Sequence, residues 1–481
     1  MGLPIISVAQ MREWEAASWA AGCSAAAVIR RVGEVVAARA RRMTRPGEFI
    51  LILAGKGNNG EDARQAMGFL ADRPVELLRV TDPAASREEL GQRLNRRPAL
   101  VIDGLFGIGL NRPLEEPWIG LIQAVNAARC PVLSVDVPSG LNAETGETAG
   151  AAVVGTVTLT LGAAKRGLLQ PAAWPYVNRV EVVPEIGLIP CPHQSETEWV
   201  TPEDFADFPP VRLAAEHKGD FGRVIIIAGS LGYHGASVLA AKGAQRAQPG
   251  LITLYTQAET YHPVAAQLAA VMVSVWQPQL KIAPATGAVL IGPGLAAERL
   301  PDEIKMAARQ LWRLAPGAVV VDASALDWLP VGPLARNLIR VITPHPGEAA
   351  RLLRMSPQQV QANRPGALRD LSRLLGDCWV VLKGQQTLVG RSTGKILINP
   401  SGNPQLAQGG SGDTLSGYLT GLLAQPALQT DVQKTIAYAV WQHGAAADVL
   451  SRRSRNWVVE DLLPELGNCG AGGAESGVDG I

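Results

Sequence analysis

The chain has 481 residues, 47% of them hydrophobic, and a net charge of +1. This length predicts two or three domains with sizeable cores. The balanced charge argues against a nucleic acid or a membrane surface as the main partner. Five cysteines without CxxC spacing favour free thiols in a reducing compartment. Because no signal-like start or apolar run of roughly 20 residues is present, the sequence predicts a cytoplasmic protein.

The first part of the chain has the pattern of a parallel α/β domain. Residues 8–43 show helical spacing and are expected to form two helices broken near Gly22. A further helix is predicted from about Ala63, after a glycine-rich loop. Continuous apolar strands that alternate with helices predict a sheet covered on both faces. The predicted strands are 49–54, 99–103, 131–136 and 153–161.

Polar residues cluster where these predicted strands end. Ligands of parallel sheets bind beyond the carboxyl ends of the strands, so such residues are expected to converge. Each acid alone would more often be a helix cap or part of a surface turn. The same arrangement at three strand ends nevertheless predicts a site. The residues concerned are Asn58, Asn59, Asp62, Asp103, Asp136 and Ser139.

Proline and polar residues dominate 184–216, which predicts a linker with a domain boundary at about residue 200. The predicted domains are therefore 1–200 and 201–466, and the glycine-rich end, 467–481, is expected to be a disordered tail. The strand–loop–helix series restarts in the second domain. Its predicted strands are 223–230, 251–255, 288–291, 318–322, 340–343 and 379–382, followed by a hairpin near 387–398.

The most informative stretch is Asn399–Asp413, in which Gly409-Gly-Ser-Gly412 opens a helix with apolar residues at helical spacing. Free backbone N–H groups and the positive end of the helix dipole favour an anion there. A carboxylate beside that anion is unfavourable unless it takes a proton from a hydroxyl that attacks a phosphoryl group. A capping aspartate is the simpler interpretation of a lone motif. The lead-in from Asn399 and the partners described next favour a catalytic Asp413.

Three further residues of the second domain have both a functional and a structural interpretation. Lys383 follows a buried strand, where a lysine suits a phosphate oxygen, although a solvated loop lysine is equally common. His345 lies between two prolines, which favours contact with a substrate, and the scattered histidines argue against zinc. His443 is interpreted as a packed or capping histidine. No GxxxxGK[ST] motif is present, which excludes a P-loop.

Over nearly its whole length, the chain resembles the bifunctional NAD(P)H-hydrate repair enzymes. The resemblance rests in the second half on Thr343-Pro-His-Pro-Gly-Glu348, Lys383-Gly-Gln-Gln-Thr387 and Asn399–Asp413. In the first half it rests on Gly57-Asn-Asn-Gly60 with Asp62, Asp103-Gly-Leu-Phe-Gly-Ile-Gly109 and Val135-Asp-Val-Pro-Ser-Gly140. It implies an α/β protein with a Rossmann-like three-layer αβα epimerase domain followed by a ribokinase-like dehydratase domain.

For the second domain, the resemblance implies that ADP, or ATP, drives loss of water from the (6S)-hydrate of NADH or NADPH. Asp413 would act on the hydroxyl of the hydrate, and a magnesium ion would bridge the phosphates. The hydrate would contact Ala236, Gly294, His345 and Asp413, and the nucleotide would contact Lys383, Gly384, Gln385, Gln386, Thr387 and Gly412.

For the first domain, the resemblance implies interconversion of the R and S hydrates with Asp136 as a catalytic residue. Hard oxygen ligands from Asn59, Asp103 and Ser139 would bind a potassium ion. A homo-oligomer is also expected. The hydrate would contact Asn58, Asn59, Gly60, Glu61, Asp62, Gly107, Ile108, Gly109, Leu110, Asn111, Arg112, Pro113 and Asp136.

The first domain departs from the family pattern at several positions. Glu61 and Ala63 stand where the family favours glycines, and Arg30 and Arg31 stand in a helix segment that usually carries an acid. One alternative is therefore a dehydratase whose first domain is a non-catalytic scaffold. A second alternative, from the fold alone, is a kinase that phosphorylates a small alcohol. Ser324, at a place where the family usually has an aspartate, lies outside the motifs that carry the chemistry.

Overall fold

The computed structural model describes residues 2–278, 280, 282–283, 285–335 and 337–470. They form two compact units: one is Leu3–Trp199, and the other runs from Val200 and includes Gly2. Most of the predicted tail, 471–481, lies outside the described residues.

The N-terminal unit is built from eight strands and six α-helices within its described residues. The strands are β1 (Leu3–Pro4), β2 (Ile50–Ala54), β3 (Val75–Arg79), β4 (Leu100–Gly104), β5 (Val132–Val135), β6 (Val157–Leu161), β7 (Arg179–Val183) and β8 (Thr197–Trp199). The helices are α1 (Val8–Ala20), α2 (Ala25–Met43), α3 (Asn58–Ala66), α4 (Pro83–Asn95), α5 (Glu116–Ala127) and α6 (Trp174–Val177).

Six of these strands form one parallel sheet in the order β3-β2-β4-β5-β6-β7. Buried side chains of α1, α2 and α3, such as Trp14 and Val36, cover one face of the sheet. Buried side chains of α4 and α5, such as Leu90 and Leu121, cover the other face. This three-layer arrangement explains why the central strands are continuously apolar, and it confirms the predicted fold class.

Two predictions about this unit were wrong. The helix expected from about Ala63 begins at Asn58, because Gly57 is its N-cap and Gly60 lets the first turn approach the backbone of Gly55. A Cβ at position 60 would lie 2.2 Å from the oxygen of Gly55. The strand expected at 153–161 begins only at Val157. The two helices predicted within 8–43 are confirmed, with Gly22 between them at a φ of 92°.

The C-terminal unit contains nine strands and nine α-helices in its described part. The strands are β9 (Arg223–Ile227), β10 (Leu251–Thr256), β11 (Met272–Val275), β12 (Ala288–Ile291), β13 (Ala318–Val321), β14 (Arg340–Ile342), β15 (Trp379–Leu382), β16 (Leu388–Gly390) and β17 (Ile396–Ile398). The helices are α7 (His234–Arg246), α8 (Tyr261–Ala265), α9 (Asp302–Leu314), α10 (Pro346–Leu353), α11 (Pro357–Ala362), α12 (Arg364–Leu374), α13 (Ser411–Leu423), α14 (Val432–Arg453) and α15 (Leu462–Glu465).

These strands lie in the order β17-β16-β15-β14-β13-β12-β9-β10-β11. The pairs from β15 to β11 are parallel, and the predicted hairpin of β16 and β17 adds an antiparallel edge. Buried residues of α7, α13 and α14 pack on the sheet as one apolar core. The carboxyl ends of β13, β14 and β15 therefore open toward the same edge, where the predicted site residues lie. Across the described residues, no helix is both long and apolar enough to span a bilayer.

Candidate active sites

In the N-terminal unit, a buried ion pair holds the carboxylate that follows β5. Asp136 accepts a 2.5 Å hydrogen bond from Nζ of Lys165, and further bonds from the hydroxyl of Thr160 and the amide of Leu161. Lys165 is completely buried and also donates to the carbonyl oxygen of Leu161. Asp136 has a left-handed φ of 63°, an unfavourable conformation that is typical of functional sites. The lysine thus fixes the side chain of Asp136 in a strained turn.

A second carboxyl group of this site, that of Asp62, behaves differently. It lies on α3, is 8% exposed, and accepts no hydrogen bond from any described residue. Burial, followed by the charges of Asp136, Glu15 and Glu61, raises the pKa of Asp62 to about 8. Burial and the charge of Asp136 also raise the pKa of Glu15, on α1. Burial and these acidic neighbours therefore favour the protonated form of Asp62.

The three predicted potassium ligands are linked by hydrogen bonds at the end of β4, directly or through the carbonyl oxygen of Phe106. Asp103 is fully buried and accepts hydrogen bonds from the amide and hydroxyl of Ser139, at 2.9 and 2.5 Å. Asn59 donates through Nδ2 to the carbonyl oxygen of Phe106, 2.7 Å away, and Ser139 lies beside the same carbonyl. The buried Oδ1 of Asn59 has no hydrogen-bond partner in the described structure. An unsatisfied buried oxygen of this kind suits a cation.

The remaining predicted hydrate contacts lie at the start of α3 and in the loop after β4. Asn58 is exposed, and Gly60 is buried in the first turn. Gly107 is close to Asn59, because a Cβ at position 107 would lie 3.2 Å from that of Asn59. Ile108 packs partly against the apolar core. The rest of the loop is at least partly solvent-accessible: Gly109, Leu110, Asn111, Arg112 and Pro113.

The departures from the family pattern are accommodated locally. Glu61 turns along α3 and forms an ion pair with Arg64 on the same helix. Ala63 is buried with its methyl group over Gly104. Arg30 and Arg31 are exposed, and Arg31 forms an ion pair with Glu34. None of these residues disrupts the hydrogen bonds of Asp103 or Asp136.

In the C-terminal unit, Asp413 lies in the first turn of α13, as the sequence predicts. The helix begins at Ser411 after Gly410, whose φ of 92° is readily accessible only to glycine. The carboxylate of Asp413 accepts no hydrogen bond from the described chain, and its residue is only half-buried. Burial and the charge of Asp322, offset by Lys383, raise the pKa of Asp413 to about 7. A carboxylate with that pKa is suited to removing a proton at neutral pH.

Lys383 follows β15 and connects the acids of this site. Its Nζ lies 3.0 Å from Oδ1 of Asp322, which follows β13, and 3.9 Å from Oε2 of Glu348 on α10. Burial would lower the pKa of Lys383, but these two carboxylates outweigh it and raise the pKa. A Cβ at Gly412 would lie 3.3 Å from the same Nζ, so the ammonium lies against the N-terminus of α13. The ammonium group of Lys383 is thus held at the N-terminus of α13, where a bound anion is favoured.

His345 and Glu348 form a capping box at the start of α10. Nδ1 of His345 accepts from the amides of Gly347 and Glu348, and Glu348 accepts from the amide of His345. The imidazole is half exposed, and its Nε2 lies 3.5 Å from Oε1 of Glu348. His443 is buried 3.4 Å from the hydroxyl of Ser411, and burial lowers its pKa to about 4, in agreement with a packing role.

Two predicted hydrate contacts lie side by side at the start of α7. A Cβ at Gly294 would lie 3.0 Å from that of Ala236. Ser230 joins their loops by donating to the carbonyl oxygen of Gly294 and accepting from the amides of Ala296 and Ala297.

The predicted nucleotide residues form the turn between β15 and β16. Gly384 and Gln386 have φ values of 126° and 53°, and the hydroxyl of Thr387 donates to the carbonyl oxygen of Gly384. Gln385 is exposed. The buried Nε2 of Gln386 has no hydrogen-bond partner among the described residues.

Sequence reasoning missed several residues of both sites. Asp322 was not singled out as a site residue, yet it accepts a hydrogen bond from Lys383. Lys165 and Glu15 were not singled out, although both act on Asp136 or Asp62. The only signal in the sequence was position, because Asp322 follows an apolar strand just as Asp103 and Asp136 do.

A family profile described as NAD(P)H-hydrate dehydratase matches residues 224–467, and one described as YjeF-related protein N-terminus matches 71–167. A crystal structure of ADP/ATP-dependent NAD(P)H-hydrate dehydratase from Bacillus subtilis, co-crystallised with ATP/Mg²⁺, superposes with a TM-score of 0.50 and 28% identity. It covers 56% of this chain and 95% of that chain. A ribokinase-like superfamily protein from Enterococcus faecalis, 23% identical with a TM-score of 0.50, shares the fold.

The protein is thus an α/β enzyme with a Rossmann-like domain before a ribokinase-like dehydratase domain. The bifunctional NAD(P)H-hydrate repair enzyme of Gloeobacter violaceus is 36% identical over 93% of this chain and 94% of its own length. The Escherichia coli enzyme of the same description is 31% identical over 91% and 88%. The chain therefore belongs to the bifunctional NAD(P)H-hydrate repair enzymes, which combine epimerase and dehydratase activities. These matches support the two-activity interpretation rather than the scaffold or kinase alternatives.

Proposed function

We propose that the C-terminal site uses ADP or ATP to remove water from the (6S)-hydrates of NADH and NADPH, and that the N-terminal site interconverts the R and S hydrates. With ADP the products are AMP and phosphate. The observation that carries the proposal is the carboxylate of Asp413, which has a pKa of about 7 and lies beside a lysine at the N-terminus of α13.

In the dehydratase reaction, the hydroxyl oxygen of the hydrate attacks the terminal phosphoryl group of the nucleotide, and Asp413 takes the proton of that hydroxyl. The bond from that phosphoryl group to the rest of the nucleotide breaks and the shortened nucleotide leaves. The phosphorylated oxygen then departs as phosphate, while the neighbouring ring carbon gives its proton to water and the ring double bond forms again. Lys383 and the amides at the start of α13 stabilise the negative charge of the phosphoryl group. Ala236, Gly294 and His345 contact the hydrate.

The nucleotide is proposed to bind at Lys383, Gly384, Gln385, Gln386, Thr387 and Gly412. Among the described residues, no cluster of three or more His, Cys, Asp or Glu side chains has the arrangement of a metal site. Mg²⁺ is commonly held by substrate phosphates, water and one or two carboxylates. Asp322 and Glu348 provide suitable oxygens, although Lys383 already neutralises much of their charge. Magnesium is therefore proposed to arrive with the phosphates and to neutralise them.

For the epimerase, the proposal rests on two carboxyl groups in different electrostatic environments. Asp136 is paired with the ammonium group of Lys165, whereas burial and acidic neighbours raise the pKa of Asp62 to about 8 and favour its protonated form. One proton acceptor and one donor in the same site suit a reaction that adds and removes a hydroxyl group. The hydrate is proposed to contact residues 58–62, 107–113 and Asp136.

A potassium ion is proposed beside this site, with Asn59, Asp103 and Ser139 as ligands. The unsatisfied Oδ1 of Asn59 supports this, because it needs a partner that the described chain does not supply. The ion would stabilise the buried charge of Asp103. The cytoplasmic location and the homo-oligomeric state stay predictions.

The test is incubation of the full chain with mixed R and S hydrates, ADP and magnesium. We expect complete recovery of the absorbance of the reduced cofactor, with AMP and phosphate released in equal amounts. Recovery that stops at the S fraction would contradict the epimerase. A stable phosphorylated alcohol, without recovered cofactor, would contradict the dehydratase.

A further inference from the structure

One buried guanidinium binds the turn that follows β15. Arg364, the first residue of α12, is 6% exposed. It donates to the carbonyl oxygen of Leu382 at 3.1 Å and of Lys383 at 3.3 Å, and also to that of Gln385. Burial lowers the pKa of Arg364 to about 10, so it remains charged at neutral pH. Three carbonyl groups of one short turn are therefore directed at a single cation.

This arrangement determines where the amides of the turn are directed. In a trans peptide the N–H group points away from the carbonyl oxygen of the preceding residue. The N–H groups of Gly384 and Gln386 are therefore directed away from Arg364. Both residues have left-handed φ values, and turns of this kind make concave anion sites from successive amides. The unsatisfied Nε2 of Gln386 adds a side-chain donor to this turn.

We propose that Arg364 is a positioning residue that holds the 383–387 turn in the shape that binds the nucleotide phosphates. The inference rests on the proposed function, since it takes this turn as the nucleotide site. The planar fork of arginine bonds several carbonyls at once, whereas the ammonium of lysine is a compact point charge. A lysine at this position would therefore leave the turn partly unrestrained, and the nucleotide would have to order it on binding.

The same helix provides a matched control. Arg369 donates to the carbonyl oxygens of Arg391, Ser392 and Gly394, at 3.4, 3.1 and 3.1 Å. These carbonyls belong to the turn between β16 and β17. Arg369 thus performs the same chemistry on a turn to which no ligand is assigned, and its replacement controls for the general loss of an arginine from α12.

The test compares Arg364→Lys and Arg369→Lys in the full chain, with thermal melting to establish folding. We expect the KM for ADP to rise about tenfold in Arg364→Lys, the effect of losing one hydrogen bond to a charged group. The KM for the hydrate and kcat at saturating ADP should stay unchanged, and Arg369→Lys should change none of them. A folded Arg364→Lys variant with the original KM for ADP would overturn the inference, as would a fall in kcat alone.

If Arg364→Lys does not fold, Gly384→Ala replaces it. The added methyl would strain a residue with a φ of 126° and would lie 3.4 Å from the guanidinium. It should raise the KM for ADP, and an unchanged KM would show that the shape of the turn does not determine nucleotide binding, which would reject the inference. Failure of the proposed function looks different, because the unaltered chain would then show no nucleotide-dependent turnover at all.

Discussion

The two sites share one arrangement but differ in how their lysines are bound. Each pairs a lysine with an aspartate, Lys165 with Asp136 and Lys383 with Asp322. Lys165 is completely buried and donates to three acceptors, whereas the side chain of Lys383 is 20% exposed. A lysine that is fully enclosed can only hold its partner. A lysine that is partly exposed can also reach a ligand, and this difference supports the proposal that Lys383 binds phosphate.

Each site also has a second aspartate without a hydrogen-bond partner in the described chain, and the same difference explains its pKa. Burial is the largest cause at both positions, raising the pKa of Asp62 to about 8 and that of Asp413 to about 7. Lys383 lowers the pKa of Asp413, which leaves that residue closer to its ionised state. At Asp62 the neighbouring charges are all negative. The two aspartates are therefore suited to opposite tasks, proton donation by Asp62 and proton removal by Asp413.

The largest expected effect is in Asp413→Asn. This change should lower kcat for dehydration by about 10³-fold, in the range for loss of a general base, with little change in nucleotide affinity. Epimerisation should continue, which separates the two sites. The measurement is phosphate release with pure (6S)-hydrate. Asp431→Asn is the matched control, since Asp431 caps α14 and also lies at a helix N-terminus. Undiminished turnover in Asp413→Asn would discard the base assignment.

The next effect tests the lysine of the N-terminal site. Lys165→Met leaves the carboxylate of Asp136 buried without its cation, which should reduce the free energy of unfolding by about 3 kcal/mol. The double variant Lys165→Met with Asp136→Asn removes both charges and should recover most of that loss. Thermal and denaturant unfolding of the full chain give the measurement. If the double variant were no more stable than Lys165→Met, the ion pair would not be the cause.

The corresponding pair in the C-terminal unit sharpens the comparison. Lys383→Met with Asp322→Asn should likewise be more stable than Lys383→Met alone, because Asp322 is 2% exposed. Turnover with ADP, in contrast, should not recover, because the phosphate loses its cation. Recovery of both stability and turnover would show that Lys383, like Lys165, is only structural.

The sequence predicted the central strands of both sheets, and three of the strands that it missed share a physical reason. β3 and β7 are the two edges of the N-terminal sheet, and β11 is an edge of the C-terminal one. Edge strands are partly exposed and carry charged or polar residues, as Glu76 in β3 and Glu181 in β7 show. They therefore lack the continuous apolar pattern that identified the buried strands.

Residues of the two sites were predictable only where they belong to a sequence motif. Asp413 and Lys383 belong to glycine-containing segments that follow strands, and the structure places both at the N-terminus of α13. Asp322 and Arg364 act through side-chain contacts between residues more than fifteen positions apart in sequence, which no local pattern encodes. Their function depends on which strand ends become neighbours, and that is a property of the sheet order.

A smaller effect is expected from Asp62→Asn on stability. Because the pKa of Asp62 is raised to about 8 in the folded chain, its contribution to stability is fully present below about pH 4 and is lost as the pH rises through 8. Asparagine has no such dependence, so the variant should gain on the order of 2 kcal/mol of unfolding free energy at pH 8. Urea unfolding at acidic and alkaline pH gives the measurement. An equal effect at both pH values would exclude Asp62 titration as the cause.

The last prediction sets the pH dependences of the two activities against each other. Dehydration needs ionised Asp413, so its kcat should rise with pH and level off above about 7. Epimerisation needs protonated Asp62, so its rate should fall as the pH passes about 8. Each limb should have a slope of about tenfold per pH unit, as expected for one titrating group. Both activities are measured on one preparation, over a pH range that includes both transitions. Unfolding of the protein would then lower both activities together. Two limbs of the same direction would contradict the assignment of opposite proton-transfer tasks to the unpaired aspartates, whereas opposite limbs would show that burial tunes one residue type to two tasks.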